Sequence, residues 1–291
     1  MKLGVISDCF KRSIEESIAL AGSLGMDGIQ IYAVSGEFCP NSLLGNKEKI
    51  DYYKRLLQDN GLSVSALCGD LGGHGFEIEK DNALRIEKTS RIVDLACEFC
   101  TDVVTTHIGV IPEDETSEKY KVMLDALRKC GEYAASRGVT LAIETGPETA
   151  PVLHGFVSKI ERGVGVNLDP ANFVMVTGQD PKEAVYLLKD YIVHTHLKDG
   201  KMLKKSDPVE IYNVFAEGGI EGLNVADYFI ETPVGEGDVD FDSYVSALKD
   251  IGFEGFLTIE RETGIDPAAD IKKAADYARK KLICDKENPE E

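Results

Sequence analysis

The sequence lacks the features that would indicate a membrane protein or a nucleic-acid-binding protein. No run of about 18 apolar residues occurs in it, so we expect no membrane-spanning helix. Lysine and arginine together number 32 against 51 aspartates and glutamates, which gives a formal net charge of −19. Nucleic-acid affinity comes mainly from lysine and arginine side chains that meet phosphates. We therefore expect neither nucleic acid nor a membrane among the partners.

Signals for secretion and for disulfide bonding are also missing. The apolar part of the opening stretch "MKLGVISDCF" is too short for a signal peptide and is typical of a first strand. The seven cysteines are an odd number, and they are scattered without the spacing of a disulfide framework. This usage fits reduced thiols inside a cell, so we expect a cytoplasmic protein.

Two common phosphate-binding motifs are absent. The dinucleotide motif G-x-G-x-x-G does not follow the first predicted strand, where "ISDCFKRS" stands instead. The glycines of "GDLGGHGFE" at 69–77 suit a phosphate-binding loop, but the G-K-[ST] ending of a P-loop is missing. We interpret this stretch as a mobile loop at the mouth of the fold, with His74 near the substrate.

Short apolar, β-branched stretches recur along the chain and alternate with helical segments. Residues 118–138 show apolar positions at steps of three and four and end at Gly138, and 242–252 repeat this design with Asp242 or Ser243 as the cap. Such alternation predicts a parallel sheet, and eight strands predict a closed (β/α)8 TIM barrel of the α/β class. An open doubly wound sheet is the main alternative. The predicted strands are 3–7, 28–33, 62–68, 102–108, 139–145, 164–169, 192–198 and 255–262.

The chain contains no low-complexity linker, so we predict one barrel domain over residues 1–284. The stretch 201–232 is longer than a simple turn from strand to helix, and we predict an insertion there over the barrel mouth. We interpret 285–291 as an acidic tail.

Polar residues stand at the ends of five consecutive predicted strands. Strands four to eight end in His107, Glu144, Asp169, His196 and Glu260. Each has an ordinary structural explanation, such as a helix cap for the carboxylate before Pro170 or a hydrogen bond for a buried histidine. In a TIM barrel, however, the carboxyl ends of all strands meet at one face. The repetition therefore predicts a shared site.

The residue types at this site favour a metal ion. Two glutamates, one aspartate and one histidine suit a single divalent ion such as Mn²⁺, Zn²⁺, Mg²⁺ or Co²⁺, and the carboxylates would repel one another without a cation. The predicted ligands are Glu144, Asp169, His196 and Glu260. His194 and Lys198 share a strand face with the histidine ligand, and we expect His194 to support it and Lys198 to meet substrate oxygens.

Four motifs in this order resemble those of the sugar-phosphate isomerase/epimerase group of xylose isomerase-like TIM barrels: "VNLDPANF", "VHTHLKDG", "PVGEGDVDF" and "GFLTIERE". This superfamily includes the ketose 3-epimerases for tagatose and psicose, the inosose dehydratases and endonuclease IV. The resemblance covers nearly the whole chain, with its motifs concentrated from residue 139 onwards. It implies the same four metal ligands. It also implies that Glu144 and Glu260 are the catalytic pair, in which one removes a proton next to a carbonyl and the other returns a proton through a metal-stabilised enediolate.

The chain departs from the family pattern at one position. The epimerases have D-x-x-H, whereas "DPAN" places Asn172 there, which keeps a substrate hydrogen bond but not an ion ligand. Endonuclease IV needs a histidine at that place and several more for three zinc ions, so five histidines and a net charge of −19 argue against DNA cleavage. By resemblance, the loop 233–238 lies near the bound sugar, with Glu236 as a substrate contact. We expect His107 to hydrogen-bond the substrate and Lys198 to bind a hydroxyl or a phosphate.

The sequence therefore predicts a metal-dependent sugar or sugar-phosphate isomerase or epimerase. The alternatives are an inosose-type dehydratase and a non-catalytic sugar-binding barrel. The expected partner is a small sugar or sugar phosphate, and the insertion at 201–232 offers an interface for a homo-oligomer.

Overall fold

The computed structural model describes residues 1–220 and 223–283. Within these ranges, eight parallel strands close into a barrel in the order β1-β10-β7-β6-β5-β4-β3-β2, and β8 and β9 form a separate antiparallel pair. The prediction of a TIM barrel is confirmed, and the open sheet is excluded. The strands are β1 (Lys2–Ile6), β2 (Gly28–Tyr32), β3 (Ser63–Cys68), β4 (Val103–Thr106), β5 (Thr140–Glu144), β6 (Val164–Leu168), β7 (Ile192–Leu197), β8 (Asp199–Met202), β9 (Phe229–Thr232) and β10 (Phe256–Ile259).

Helices surround the barrel, and the apolar core fills the layer between helices and strands. None of the helices described is long and apolar enough to cross a bilayer. The helices are α1 (Ile14–Ser23), α2 (Pro40–Leu43), α3 (Lys47–Asp59), α4 (Glu79–Glu98), α5 (Glu118–Ser136), α6 (Ala150–Val157), α7 (Pro170–Asn172), α8 (Pro181–Leu188), α9 (Pro208–Ala216), α10 (Phe241–Asp250) and α11 (Pro267–Tyr277).

The helix boundaries follow from capping side chains and from buried apolar faces. Ser117 accepts a hydrogen bond from the Tyr120 backbone N–H at the start of α5. At α10 the predicted caps, Asp242 and Ser243, are wrong, because the Asp240 carboxylate accepts from the Ser243 backbone N–H. The reason is that Phe241 is buried and belongs to the helix, so α10 begins earlier than the predicted caps.

The stretch after β7 forms a cover at the carboxyl end of the barrel. Strands β8 and β9 pair antiparallel from Asp199 opposite Thr232 to Met202 opposite Phe229, and α9 lies between them in sequence. This cover takes up the part of the chain where we predict an insertion. The acidic tail predicted at 285–291 lies outside the described residues.

Candidate metal centre

The barrel brings the four predicted ligands to one point. Glu144 ends β5, Asp169 directly follows β6, His196 lies in β7, and Glu260 directly follows β10. Each offers one ligand atom, and these atoms all lie within 4.8 Å of one another. Asp169, His196 and Glu260 are buried, and Glu144 is partly open to the barrel mouth. The carboxyl ends of neighbouring strands thus deliver three carboxylates and one imidazole to a common site.

The imidazole of His196 lies among the three carboxylates. Its Nδ1 is 2.7 Å from Glu260 Oε2, 3.3 Å from Asp169 Oδ2 and 3.6 Å from Glu144 Oε1. The other ring nitrogen, Nε2, lies 3.3 Å from Oε1 of Gln30 and 3.1 Å from the amide nitrogen of Asn167. Nδ1 is therefore the ring nitrogen that could hold a cation, and Nε2 faces the amide groups of Gln30 and Asn167.

The charges of this cluster fit a divalent cation. Among the described residues, Glu260 Oε2 is buried without a hydrogen-bond donor of suitable geometry. Burial alone would lower the pKa of His196, but the Glu260 and Glu144 carboxylates outweigh burial and raise this pKa well above its ordinary value. The carboxylates thus attract positive charge to this point. A cation at the same point satisfies them and leaves the imidazole neutral, as a metal ligand must be.

Buried polar side chains support the imidazole from inside the barrel. His194 Nε2 lies 3.0 Å from Gln30 Oε1 and 3.0 Å from Thr258 Oγ1, and Gln30 Nε2 donates to Thr105 Oγ1 over 3.2 Å. Burial and the nearby His196 lower the pKa of His194 well below its ordinary value, so His194 is neutral. His194 reaches the ligand His196 through Gln30. Sequence reasoning missed Gln30, although a glutamine inside the apolar strand "GIQIY" is a signal for such a role.

His107 stands at the mouth of the barrel beside Glu144. Its Nδ1 lies 3.1 Å from Asp70 Oδ2, and its Nε2 lies 3.8 Å from Glu144 Oε1. Burial would lower the pKa of His107, but Glu144 and Asp70 raise it to about 10. In the cation-free chain His107 therefore carries a positive charge at neutral pH, and its Nε2 faces the site. Its partner Asp70 gave no sequence signal that distinguishes it from an ordinary loop residue.

Lys198 and Asn172 also reach the site, and both already have protein partners. Lys198 Nζ lies 3.1 Å from Glu260 Oε1 and 2.9 Å from Glu262 Oε2. The Asn172 amide donates to the Thr145 carbonyl over 2.9 Å and lies 3.5 Å from Glu144 Oε1. Asp169 accepts hydrogen bonds from the backbone N–H groups of Ala171 and Asn172 in α7. Its carboxylate therefore caps this helix and also faces the centre.

Two predicted substrate contacts lie elsewhere. His74 Nε2 lies 2.6 Å from Glu217 Oε1, and Glu236 is exposed. Neither is among the described residues that line the cavity above the metal centre. Their contacts with substrate stay predictions.

The loop that contains Glu236 is shaped by a different residue. The Asp199 carboxylate accepts from the backbone N–H groups of Gly235 and Gly237 over 2.9 and 2.8 Å, and from that of Val239 over 3.2 Å. A Cβ at Gly237 would overlap this carboxylate. Hydrogen bonds to Asp199 thus join residues 198–200 ("KDG") to the loop 235–239. This contact fixes the chain directly after Lys198.

A cavity of about 830 Å³ opens above the metal centre. Sequence reasoning missed several of its lining residues, because they come from the cover or from loops that pair only in the folded chain. These residues include Asp70, Tyr212, Glu231, Arg261 and Glu262. Tyr212 belongs to α9, and its hydroxyl packs so closely on Gly146 that a Cβ there would overlap it.

Comparison with curated proteins gives two kinds of relative. The inosose dehydratase of Clostridium perfringens (strain 13 / Type A) is 27% identical over 177 residues, which cover 59% of this chain and 56% of that protein. The chain thus aligns with little more than half the length of that dehydratase. The L-ribulose-5-phosphate 3-epimerase UlaE of Escherichia coli K12 is 25% identical over 280 residues, which cover 92% of this chain and 89% of the epimerase.

Solved structures share the fold over nearly the full length. A xylose isomerase domain protein from Planctomyces limnophilus superimposes with a TM-score of 0.75 at 24% identity, and the match covers 97% of each chain. The profile of the family described as xylose isomerase-like TIM barrel matches residues 18–281. The chain therefore belongs to the xylose isomerase-like TIM barrel family.

Proposed function

We propose that the protein is a metal-dependent isomerase or epimerase of a sugar or sugar phosphate, with Glu144 and Glu260 as the proton-transferring pair. The observation that carries this proposal is the convergence of both glutamates, with Asp169 and His196, within 4.8 Å at the floor of the mouth cavity. Two carboxylates that share one open cavity with a cation-binding centre suit proton transfer next to a carbonyl. Full-length similarity to a ribulose-phosphate 3-epimerase supports the same reaction class.

The four ligand residues would hold one divalent ion, of which Mn²⁺, Zn²⁺, Mg²⁺ and Co²⁺ all suit the donors. When bound, such an ion supplies positive charge that stabilises the negative charge developing on substrate oxygens.

The protein's own side chains divide the proton transfer between them. In the cation-free chain, burial raises the pKa of Glu144 to about 7. Burial acts in the same direction on Glu260, but Lys198 and His196 outweigh it and lower the pKa of that group. Lys198 also gives Glu260 a lysine partner that Glu144 lacks among its described contacts, so the surroundings of the two carboxyl groups differ. One of the pair removes the proton next to the carbonyl, and the other returns a proton to the opposite face.

Other side chains orient the substrate and exclude water. His107, held by Asp70, is placed to donate a hydrogen bond to a substrate oxygen near Glu144. Lys198 holds Glu260 in place and presents its remaining protons to the cavity. Tyr212 and Phe215 of α9 line the same cavity, where a bound substrate would pack against them and displace water.

An inosose-type dehydratase is the second candidate, since an inosose dehydratase is among the curated relatives. Proton abstraction by the same glutamate would then be followed by loss of a hydroxyl group as water. A non-catalytic sugar-binding barrel is the third reading, and the complete set of four ligands argues against it.

The test begins with metal analysis of the purified protein and a screen of ketoses, ketose phosphates and inososes in D₂O. Solvent deuterium in an unchanged carbon skeleton supports the isomerase or epimerase, and a new enone absorbance supports the dehydratase. Glu144→Gln and Glu260→Gln should each lower turnover by about 10² to 10⁴, whereas Glu161→Gln, at an exposed position, should not change it. Full turnover in both site variants, or no turnover by metal-loaded wild type, would overturn the proposal.

A further inference from the structure

The cavity above the metal centre is much larger than the reacting part of a sugar requires. Its volume is about 830 Å³, within the range of roughly 300 to 1,000 Å³ that suits drug-sized ligands. A single six-carbon sugar bound by the glutamates would fill only its floor. The remaining space runs outward toward the cover formed by β8, α9 and β9.

The outer wall of this cavity is apolar. It includes Leu203, Phe215 and Ile230, which are 57%, 59% and 44% exposed, respectively. Large apolar side chains that stay this exposed are costly to hydrate, and a contiguous group of them marks a binding surface. All three come from the cover, so it presents an apolar surface to whatever lies above the sugar.

The cationic side chains that line the described cavity all have carboxylate partners, and those of His107 are Asp70 at 3.1 Å and Glu144 at 3.8 Å. Lys198 lies within 3.1 Å of Glu260 and 2.9 Å of Glu262. Arg261 lies 2.7 Å from Glu231 and 2.9 Å from Asp270, and it is 7% exposed. A phosphate group binds best to arginine and lysine with free donors. Here a phosphate group would meet the partner carboxylates of both cations at close range.

The glycine-rich loop at 69–77, which follows β3, does not provide an anion-binding site either. Gly72 and Gly73 line the cavity, but the Gly72 backbone N–H donates to Asp70 Oδ1 over 2.8 Å. The same carboxylate binds His107. A phosphate placed on this loop would therefore meet a negative charge at close range.

We infer that the substrate is an uncharged sugar with an apolar alkyl or aryl substituent, which packs against Leu203, Phe215 and Ile230 while the sugar occupies the metal centre. The position of the sugar end rests on the proposed function. The apolar wall and the paired cations support the rest of the inference independently.

Isothermal titration of the full chain with Mn²⁺ present tests this inference. The probes are methyl, butyl, hexyl and phenyl β-D-glucosides and the corresponding galactosides, with glucose and glucose 6-phosphate for comparison. Affinity should rise by about fourfold for each added methylene that the wall buries, and phenyl should bind more tightly than methyl. Glucose 6-phosphate should bind no more tightly than glucose. A flat alkyl series in both sugars, or tighter binding of the phosphate, would overturn the inference.

Variants of the wall residues test whether the alkyl group binds at this wall. Leu203→Ala and Phe215→Ala should flatten the alkyl series, because both side chains belong to the wall. Leu84→Ala is the control, since Leu84 is 56% exposed on α4 and does not belong to the described cavity lining. If sedimentation shows a dimer that Leu203→Ala dissociates while alkyl length has no effect, the wall is an interface between copies and the inference fails.

The two proposals can fail separately. A rise in affinity with alkyl length but no turnover of any sugar would leave this inference standing and remove the proposed function. Turnover of a free ketose, with an affinity for glycosides that does not change with alkyl length, would support the proposed function and remove this inference.

Discussion

The ammonium nitrogen of Lys198 lies 3.1 Å from Oε1 of Glu260, one of the four groups that converge at the metal centre. Both residues are buried, and the ion pair helps to lower the pKa of Glu260 despite burial. Glu144 has no lysine this close among its described partners, and burial raises its pKa to about 7. The buried lysine, together with the closer contact of His196 to Glu260, thus distinguishes two glutamates that are placed alike at strand ends.

Replacing Lys198 by methionine should destabilise the metal-free protein. The change leaves the buried Glu260 carboxylate without its cation, and the removal of one partner of a buried ion pair costs about 3 to 5 kcal/mol. Urea denaturation in the presence of a chelator measures the loss. The control is Lys47→Met, which removes a pair with Asp51 on the surface of α3 and should have a much smaller effect. Equal effects of the two variants would show that Lys198 contributes no more than a surface charge.

Replacing His196 by alanine should remove the metal ion at neutral pH. The variant loses the one nitrogen ligand and leaves three carboxylates that repel one another. Elemental analysis after dialysis gives the metal content per chain, and His154→Ala on α6 is the matched control. A full complement of metal in His196→Ala would remove this residue from the ligand set.

Replacing Gln30 by alanine should weaken metal binding without abolishing it. The Gln30 amide oxygen lies 3.3 Å from the ring nitrogen of His196 that faces away from the carboxylates. Loss of such a supporting partner typically costs about 10- to 100-fold in metal affinity. Competition with a fluorescent chelator measures the dissociation constant, and the exposed Gln58→Ala serves as control. An unchanged dissociation constant would mean that Asn167 and the strand alone orient the imidazole.

The fold and the centre of the site could be predicted because both depend on local patterns. Alternating apolar stretches and helical segments predict the barrel, and the barrel itself specifies that strand ends meet. Glu144, Asp169, His196 and Glu260 each stand at such an end, so their convergence follows from position in the chain. No contact between distant residues had to be known.

The surroundings of the centre depend on contacts that no local pattern encodes. Arg261 lines the cavity because Glu231 of β9 and Asp270 of α11 hold it, and these partners lie far apart in the sequence. The sequence indicates His74 and Glu236 as substrate contacts only through the loops that contain them, and neither residue is part of the described cavity lining. Loop length predicted a cover at 201–232, but only the folded chain shows that Tyr212 lines the cavity.

Glu148 gives a stability prediction that is separate from the metal centre. Burial raises its pKa to about 7, from an ordinary value of 4.5, although the Ile111 backbone N–H donates to it. Between these pH values the folded protein holds a proton that the unfolded chain has lost, so stability falls as pH rises. Glu148→Gln keeps the acceptor for Ile111 and removes the titration. The free energy of unfolding of this variant should therefore exceed that of wild type by up to about 3 kcal/mol above pH 7 and equal it below pH 4.5.

Urea denaturation midpoints at pH 4 and pH 8 measure this difference in stability, with the exposed Glu132→Gln as control. An offset between Glu148→Gln and wild type that is the same at both pH values would show that Glu148 has the same pKa in the folded and unfolded chain, and that burial to 6% exposure does not raise it.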